Sequence, residues 1–455
     1  MSLIEGRAVA LASTLLFAAC AQPPEPFDGG GLFFDVPRID SLGTDGMRGV
    51  HTPARTTQTR PYDVTVTLPY GAPEQTHDLD VIASPGRVDV HVLIDTTASF
   101  DAEISQLQRT LTSSVFPQLR ARIASLSVGV SSFQDMPFPP FGTPTDRPFT
   151  LNIAQTSNAL FVAGAVQQLN HPLGNGADRP ESWGEALYQV ATGEGLVVGS
   201  QVLASRFVVQ NLPDTGSVGG VGFRDRSSRV VVLVTDAPTH DGSDYAGVVP
   251  NAHSRDAALM ALRGIGVRVV GIVSAPDARP DLEAVAFATG AIAPAGPGGC
   301  PTGLGGAWRS AVSGVCPLVY DLSDDGTGLS QTIVDGLDRL LDTTAFDESH
   351  GESTDDPREF VRAIEAVTST VAPDGTTAGL EDRYPTGAPD GIADTFRTVR
   401  GNVHLTFRIH LRNLMVQEDE FPQVFYVPVT ISGDGLELRV ITIRVIVPEG
   451  PKHDE

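Results

Sequence analysis

The sequence predicts an α/β fold with a doubly wound, mostly parallel sheet that is inserted in a β-sandwich domain. Continuously apolar runs alternate with amphipathic stretches in the middle of the chain. Strands that are buried on both faces look continuously hydrophobic, and their alternation with helices indicates a parallel sheet. Strand-like segments with one apolar face lie before and after this middle part, which indicates a second, sandwich-like domain.

The apolar runs of the middle part predict the strands of the parallel sheet. They are "VDVHVLI", "LSVGVSSF", "RVVVLVT" and "VRVVGIVS", and stretches such as "FDAEISQLQRTLTSSVFPQLRARI" and "SRDAALMALRGIG" predict helices between them. Ligands of such sheets bind outside the carboxyl ends of the strands. Asp95, Asp135 and Asp236 follow three of these runs, so we expect a binding site at this edge of the sheet.

The C-terminal part predicts antiparallel strands. "VHLTFRIHL" alternates apolar and polar residues with the period of a half-buried strand, and "VFYVPVTIS" and "LELRVITIRVIVP" continue as strands around the turn "GDG". "YDVTVTLPYG" and "THDLDVIAS" precede the middle part, and two strands alone are only marginally stable. We expect them to complete the C-terminal sheets, and a separate β-ribbon packed on the α/β domain is the alternative.

The N-terminus predicts export and attachment to a membrane. Residues 1–19 contain an apolar stretch that is too short to span a bilayer and matches the core of a signal peptide. "LFAAC" resembles a bacterial lipobox, which implies lipidation of Cys20; an ordinary cleaved signal is the alternative. Residues 20–60 have the composition of a disordered tether, and 450–455 form a short tail. The expected location is the bacterial cell envelope, at the outer membrane or cell surface.

Charge and cysteine content restrict the partners and the compartment. A formal net charge of -24 argues against nucleic acid and favours divalent cations. Cys300 and Cys316 remain once Cys20 is set aside, and an even number in an exported chain predicts a disulfide bond across a Gly-rich loop. Two unpaired thiols are the alternative.

Oxygen-bearing side chains gather in three loops after predicted strands. "DTTAS" contributes Asp95, Thr97 and Ser99, which suit Mg²⁺ or Ca²⁺, although such loops also serve as helix N-caps. "GNGADRPESWGEALYQV" adds further carboxylates and "VTDAPTH" adds Asp236, and carboxylates gathered at one edge repel each other without a cation. His240, which follows Asp236 closely, is interpreted as part of a solvated turn, and a position at the border of the site is the alternative.

Five segments in the same order resemble a known family. "DVHVLIDTTAS", "GVSSFQDMP", "DRPESWGEALYQV", "VVVLVTDAPTH" and "AGVVPN" are similar to the von Willebrand factor A fold, which is Rossmann-like, and specifically to the I-like domain of integrin β subunits. The resemblance implies an I-like domain at 87–345. It also implies a β-sandwich like the integrin hybrid domain, split into a first part at 61–86 and a second part at 346–449.

The resemblance implies a metal-ion-dependent adhesion site for Mg²⁺ or Mn²⁺, called the first site below. Its ligand set would be Asp95, Thr97, Ser99, Glu181 and Asp236, with Thr97 in place of the usual serine. Two hydroxyls and Glu181 would hold the ion, Asp95 and Asp236 would act directly or through water, and one octahedral position would stay open.

The resemblance implies two further cation sites less completely. A second site for Ca²⁺ maps to Asp135, Asp178 and the carbonyl of Pro180, with Gly176 at the family's asparagine position. The adjacent third site retains only Glu103. The segment "MPFPPFGTPTDRPF" replaces the family's disulfide-bonded specificity loop, so the identity of the ligand is not carried over.

These features predict a binding protein without enzymatic turnover. We expect a surface-anchored lipoprotein for divalent-cation-dependent adhesion or protein binding, in which an acidic side chain of a protein partner completes the metal coordination. One alternative is a Mg²⁺-dependent phosphotransferase-like enzyme. Enzymes of this class generally have a second aspartate at the position where this chain has Thr97. The other is a structural envelope protein whose cation only stabilises the loops.

Overall fold

The computed structural model describes residues 61–169, 173–383 and 390–450, which belong to one compact unit. The predicted signal peptide, the lipidation of Cys20, the tether and residues 451–455 of the tail lie outside the described residues. No helix in the described ranges has both the length and the apolar character needed to cross a bilayer.

The strands of the described residues are numbered in chain order. They are β1 (Val64–Thr67), β2 (Gln75–Ile82), β3 (Arg87–Asp95), β4 (Ser125–Phe133), β5 (Thr150–Thr156), β6 (Leu196–Val198), β7 (Gln201–Ala204), β8 (Ser228–Thr235), β9 (Val267–Val273), β10 (Ile292–Pro294), β11 (Val315–Pro317), β12 (Val319–Asp321), β13 (Phe346–Glu352), β14 (Val361–Ser369), β15 (Gly379–Glu381), β16 (Thr395–Val399), β17 (His404–Leu411), β18 (Gln423–Gly433) and β19 (Leu436–Val447).

The α-helices of the same residues lie mainly between the strands of the middle part. They are α1 (Asp101–Thr110), α2 (Phe116–Arg122), α3 (Ala159–Val166), α4 (Trp183–Thr192), α5 (Arg255–Gly264), α6 (Arg279–Thr289) and α7 (Leu329–Thr343). A π-helical turn, Leu111–Val115, joins α1 to α2. The amphipathic stretch predicted as one helix is therefore continuous but changes its winding in the middle.

The middle part of the chain forms the predicted parallel sheet. Its spatial order is β12-β9-β8-β3-β4-β5, and all neighbours pair in parallel except β4 and β5. The four apolar runs are β3, β4, β8 and β9, and their buried side chains form one core with those of the helices. This sheet confirms the α/β fold class. Its strands are covered on both faces, which explains why their sequences are continuously apolar.

Three neighbouring strands end near the acids that the sequence singles out. Asp95 is the last residue of β3, Asp135 follows β4 by two residues, and Asp236 directly follows β8. These strands are parallel neighbours, so their carboxyl ends meet at one edge of the sheet. The fold therefore brings the three acids to the same place, as predicted.

The strands before and after the α/β part form a β-sandwich. One sheet has the order β1-β19-β18-β13-β16-β15 and the other has the order β14-β17-β2. β1 pairs in parallel with β19, and β2 pairs antiparallel with β17. The early strands thus complete the C-terminal sheets as predicted, and the α/β part is inserted between them. The alternative of a separate ribbon is wrong, because β1 and β2 lie in different sheets.

Alternation along β17 explains how the two sheets of the sandwich pack. Its apolar side chains are buried in a core that also contains residues of β18 and β19, while its polar side chains are at least partly exposed. This second core shares no residue with the core of the α/β part. The disulfide bond is also confirmed, since Cys300 and Cys316 are joined across the Gly-rich loop.

A buried histidine lies in the centre of the parallel sheet. His91 in β3 has no exposed surface, and burial lowers its pKa from 6.5 to about 3. Its Nε2 lies 2.8 Å from the Ser131 hydroxyl, and its Nδ1 lies 3.4 Å from the amide nitrogen of Gln155. We assign the neutral ring with the proton on Nε2, because Nδ1 then accepts from the amide.

Acid should destabilise the protein through His91. The unfolded chain binds a proton near the ordinary histidine pKa, whereas the folded ring stays neutral, so this stability is complete above that pKa and is lost as the pH falls. The loss should be on the order of 2 kcal/mol at about pH 5. Urea unfolding of the wild type and of His91→Gln at about pH 7.5 and pH 5 measures it. An equal pH dependence in both proteins would contradict the prediction.

Candidate metal centre

The loop after β3 orders the first three residues of the first site. Asp95 is fully buried; its Oδ1 accepts from the backbone N–H and the hydroxyl of Thr97, at 2.9 and 2.7 Å, and its Oδ2 accepts from Thr235 Oγ1 at 2.7 Å. Thr97 Oγ1 lies 3.2 Å from Ser99 Oγ. Thr97 is the N-cap residue of a 3-10 turn, Ala98–Phe100, that leads into α1, but its side chain makes no capping hydrogen bond, and the N-cap residue of α1 is Phe100. The side chains of this loop therefore do not serve as helix caps. The three residues form a connected group of oxygens that is exposed at Ser99.

Hydrogen bonds join the loop that contains Glu181 to the loop that contains Asp236. The Glu181 N–H donates to Pro238 O at 2.9 Å, and the His240 N–H donates to Glu181 O at 3.0 Å. The indole Nε1 of Trp183, which is fully buried, donates to Ala237 O at 3.0 Å. The segment that leads into α4 therefore has a fixed position against the loop after β8.

The carboxylates of the site influence each other's ionisation. Burial, followed by the charges of Asp95, Asp135 and Asp236, raises the pKa of Glu181 to about 11. Burial raises the pKa of Asp95 to about 6, with a further contribution from the charge of Asp236. Burial raises the pKa of Glu103 to about 7, and the charges of Asp236 and Asp95 add to the effect. These couplings place Glu103 and the acids of the first site in one acidic cluster.

Several oxygens of this cluster are buried without a hydrogen-bond partner. They are Glu181 Oε2, Asp236 Oδ1 and Glu103 Oε2. A buried carboxylate oxygen that lacks a donor is unfavourable unless the group is protonated or a cation lies beside it. Together with the hydroxyls of Thr97 and Ser99, these hard oxygen donors fit a divalent cation such as Mg²⁺.

The acids of the first site are nevertheless not tightly gathered. Among the described residues, the one group of three or more Asp, Glu, His or Cys ligand atoms that all lie within 4.8 Å of one another is that of Asp135, Asp178 and His240. Asp95, Glu181 and Asp236 do not form such a group. The expectation that Asp95 and Asp236 act directly or through water stays a prediction.

An arginine lies beside Asp236. Arg179 donates to the Asp236 carbonyl at 2.7 Å and its NH1 lies 3.5 Å from Asp236 Oδ2. It also forms a bidentate pair with Asp277, at 2.8 and 3.1 Å, and its side chain is half exposed. The guanidinium thus pairs with Asp236 Oδ2, while Asp236 Oδ1 and Glu181 Oε2 have no hydrogen-bond partner.

The structure brings a histidine to the predicted second site. Asp135 Oδ2 and Asp178 Oδ2 lie 3.8 and 3.0 Å from His240 Nε2. Pro180 lies in the same loop as Asp178, directly before Glu181, and the role of its carbonyl stays a prediction. The interpretation of His240 as part of a solvated turn is wrong, because only 11% of its side chain is exposed. Its position four residues after Asp236, beyond a strand end, was the available signal.

A further acid of the site escaped the sequence analysis. Asp146 is fully buried in the Pro-rich segment; its Oδ2 accepts from the Thr143 N–H at 2.7 Å and its Oδ1 accepts from the Asn175 N–H at 3.1 Å. Its charge contributes to the raised pKa of Glu181. Asp146 thus joins the Pro-rich segment to the loop before Glu181. A single acid among prolines forms no pattern that would have revealed it.

Comparisons with known proteins give only distant likenesses. No family model and no curated protein matches the sequence. Among solved structures, a von Willebrand factor type A protein from Catenulispora acidiphila aligns at 12% identity and a TM-score of 0.33, over 84% of this chain and 72% of the other. The pilus adhesin SpaC from Lactobacillus rhamnosus GG, in its open conformation, aligns at 10% identity and a TM-score of 0.32, over 84% of this chain and 46% of the adhesin. Likeness at this level does not reveal what the chain binds, which has to be derived from the residues of the site.

Proposed function

We propose that this chain is a binding protein of the von Willebrand factor A type, related to the integrin β I-like domain, that attaches to an acidic protein partner through a divalent cation. The observation that carries the proposal is the set of partnerless buried oxygens on Glu181 and Asp236, beside the hydroxyls of Thr97 and Ser99. These donors lie where ligands of α/β sheets bind, outside the carboxyl ends of β3 and β8.

Each residue has a distinct part in this function. Thr97, Ser99 and Glu181 would hold Mg²⁺ or Mn²⁺, and Asp95 would orient the Thr97 hydroxyl through the bonds it already makes. When bound, the ion offers an open coordination position to a carboxylate of the partner. Ser99 is exposed and Asp236 is partly exposed, so a partner could approach the ion from the side of these two residues. Glu103 would adjust the charge of the same cluster at an adjacent, weaker site.

Cation binding is tested by calorimetry with Mg²⁺ and Mn²⁺. Ser99→Ala removes an exposed donor without disturbing the core, and Asp95→Ala removes the residue that orients Thr97. We expect both variants to bind Mg²⁺ more weakly, by about 10- to 100-fold, as is usual when residues that support a metal site are lost. Asp256→Ala, an exposed acid in the first turn of α5, is the control. Unchanged affinity in both site variants would refute the first site.

Partner binding separates adhesion from the alternatives. A pull-down from the native cell envelope should recover a partner with Mg²⁺ present and lose it with EDTA or in Ser99→Ala. Cation binding without a partner that EDTA releases would favour a structural role, and metal-dependent phosphoryl transfer that Ser99→Ala abolishes would favour the enzyme.

Attachment to the envelope by a lipid on Cys20 is a separate proposal. A Cys20→Ser protein that still incorporated labelled acyl chains would contradict it.

A further inference from the structure

A segment of the chain runs along β5, the strand at one edge of the sheet of the α/β part. β5 pairs with β4 on one side, and no strand in the described ranges pairs with it on the other. Segment 205–213 passes along this second side. The Ala154 N–H donates to the side chain of Gln210 at 3.3 Å, and the Ser157 N–H donates to Pro213 O at 3.2 Å. The segment is therefore held to the last part of β5 and to the residue just after it.

The first half of β5 has an open backbone on the side of this segment. Within the part of the chain that the structure describes, residues 150–153 make backbone hydrogen bonds only with β4. Thr150 is exposed and Leu151 is partly exposed. A groove of about 540 Å³, called the β5 groove below, lies between these two residues and segment 205–210. An edge strand with unpaired N–H and C=O groups is a template for pairing with another chain.

The lining of the β5 groove combines positive charge with exposed apolar side chains. Arg147 and Arg206 are the charged residues that line it, and no acid of the described residues does so. Arg206 is exposed, and so are Val202, Val208 and Val209. In a chain with a formal net charge of -24, this local surface is complementary to a partner that is both acidic and apolar.

Both arginines are available to the carboxylates of a partner. The Arg147 guanidinium donates to the carbonyls of Pro144 and Asp146, at 3.2 and 2.7 Å, and these neutral oxygens leave its charge uncompensated. Within the described ranges, neither Arg147 nor Arg206 forms an ion pair. A carboxylate that enters the β5 groove therefore meets two cations and no competing acid in the lining.

We propose that the β5 groove binds an extended, acidic segment of a protein partner, which adds to β5 as a further strand. The backbone of that segment would pair with residues 150–153, and its carboxylates would pair with Arg147 and Arg206. Successive side chains of a strand point to opposite faces, so a segment that alternates acidic and apolar residues presents both kinds of group to the groove. No residue that lines the groove belongs to the ligand sets of the cation sites, so this surface acts independently of the proposed function.

Fluorescence anisotropy of labelled peptides on the full chain tests this surface. The probe is a fluorescein-labelled peptide of alternating Glu and Val residues, and excess EDTA keeps cations away from the first site, so that a failure of either proposal is seen separately. We expect the probe to bind the wild type and a peptide of alternating Lys and Val not to bind. Arg206→Glu should weaken binding of the probe by about 10-fold or more, because it puts a like charge in the groove.

The matched control is Arg263→Glu, which reverses the charge of an exposed arginine in the last turn of α5 and should leave the affinity unchanged. A probe N-methylated at every residue cannot donate backbone hydrogen bonds, so it should bind about 10-fold more weakly if it adds as a strand. Absence of binding, equal affinities of Arg206→Glu and Arg263→Glu, or an unchanged affinity of the N-methylated probe would each overturn the proposal. Because Arg206 and Arg263 are both exposed, circular dichroism is expected to show the same fold in both variants.

Discussion

Replacing Trp183 by alanine should lower the free energy of unfolding by about 3–5 kcal/mol and weaken Mg²⁺ binding at the first site. The indole is fully buried at the start of α4 and donates to Ala237 O. Its loss would leave a cavity in the core, and the buried Ala237 carbonyl would keep only the Thr235 hydroxyl, 3.5 Å away, as a partner. It would also loosen the segment that holds Glu181 against the loop after Asp236.

Urea unfolding followed by circular dichroism measures the effect of Trp183→Ala, since fluorescence would change with the tryptophan itself. Trp183→Phe should retain most of the volume and cost about 1–3 kcal/mol, mainly through the lost hydrogen bond to the Ala237 carbonyl. Trp308, which is 60% exposed, provides the matched control, and Trp308→Ala should change the free energy of unfolding by less than about 1 kcal/mol. Similar losses of stability for the two alanine variants would contradict the prediction that the buried packing of Trp183 stabilises the fold.

Replacing Asp89 by alanine should also cost about 3–5 kcal/mol of stability. Asp89 is fully buried in β3; its Oδ1 accepts from Arg224 Nε at 2.6 Å and its Oδ2 accepts from the Arg224 N–H at 2.5 Å and from Ser227 Oγ at 2.8 Å. The Arg224 side chain is only 5% exposed. Removing the aspartate would leave a buried guanidinium without its counter-charge, which is the main source of the loss.

Chemical denaturation of two further variants tests this explanation. Asp89→Leu combined with Arg224→Met removes both charges, so it should recover a large part of the stability that Asp89→Ala loses. Asp78→Ala breaks an exposed pair with Arg408 and should leave the unfolding midpoint almost unchanged, because solvent screens that pair. A double variant as unstable as Asp89→Ala would show that the lost charge balance is not the cause.

Periodicity in the sequence was sufficient to predict the architecture. The apolar runs around His91 and Val231 had to be strands covered on both faces, and β17 had to be covered on one face, because each pattern is compatible with few structures. The insertion of the α/β part followed from the need of β1 and β2 for pairing partners. The partner of Asp89 was not predictable, since Arg224 lies 135 residues away in a loop without a regular pattern.

The candidate site was predicted more completely where it follows strands than where it depends on loops. Asp95 and Asp236 are placed by strand ends, and the fold brings both to one edge as expected. Glu181 was singled out by its place directly before a predicted helix, and the family resemblance gave it the role of a ligand. Its raised pKa reflects neighbours that no single segment contains. Asp146 and His240 were missed or misinterpreted, because their contacts arise between segments that periodicity does not position.

The sequence by itself determined the α/β part and the β-sandwich, the disulfide-forming pair Cys300 and Cys316, and the edge of the sheet at which acids accumulate. The apolar pattern of each strand is a local property of the sequence. Because the strands of a parallel sheet run in the same direction, their carboxyl ends lie at one edge. Only the tertiary structure decided that His240 turns its Nε2 toward Asp135 and Asp178, and that Arg179 pairs with both Asp236 and Asp277. These arrangements depend on how three irregular loops pack against each other, and packing between distant segments leaves no periodic trace in the chain.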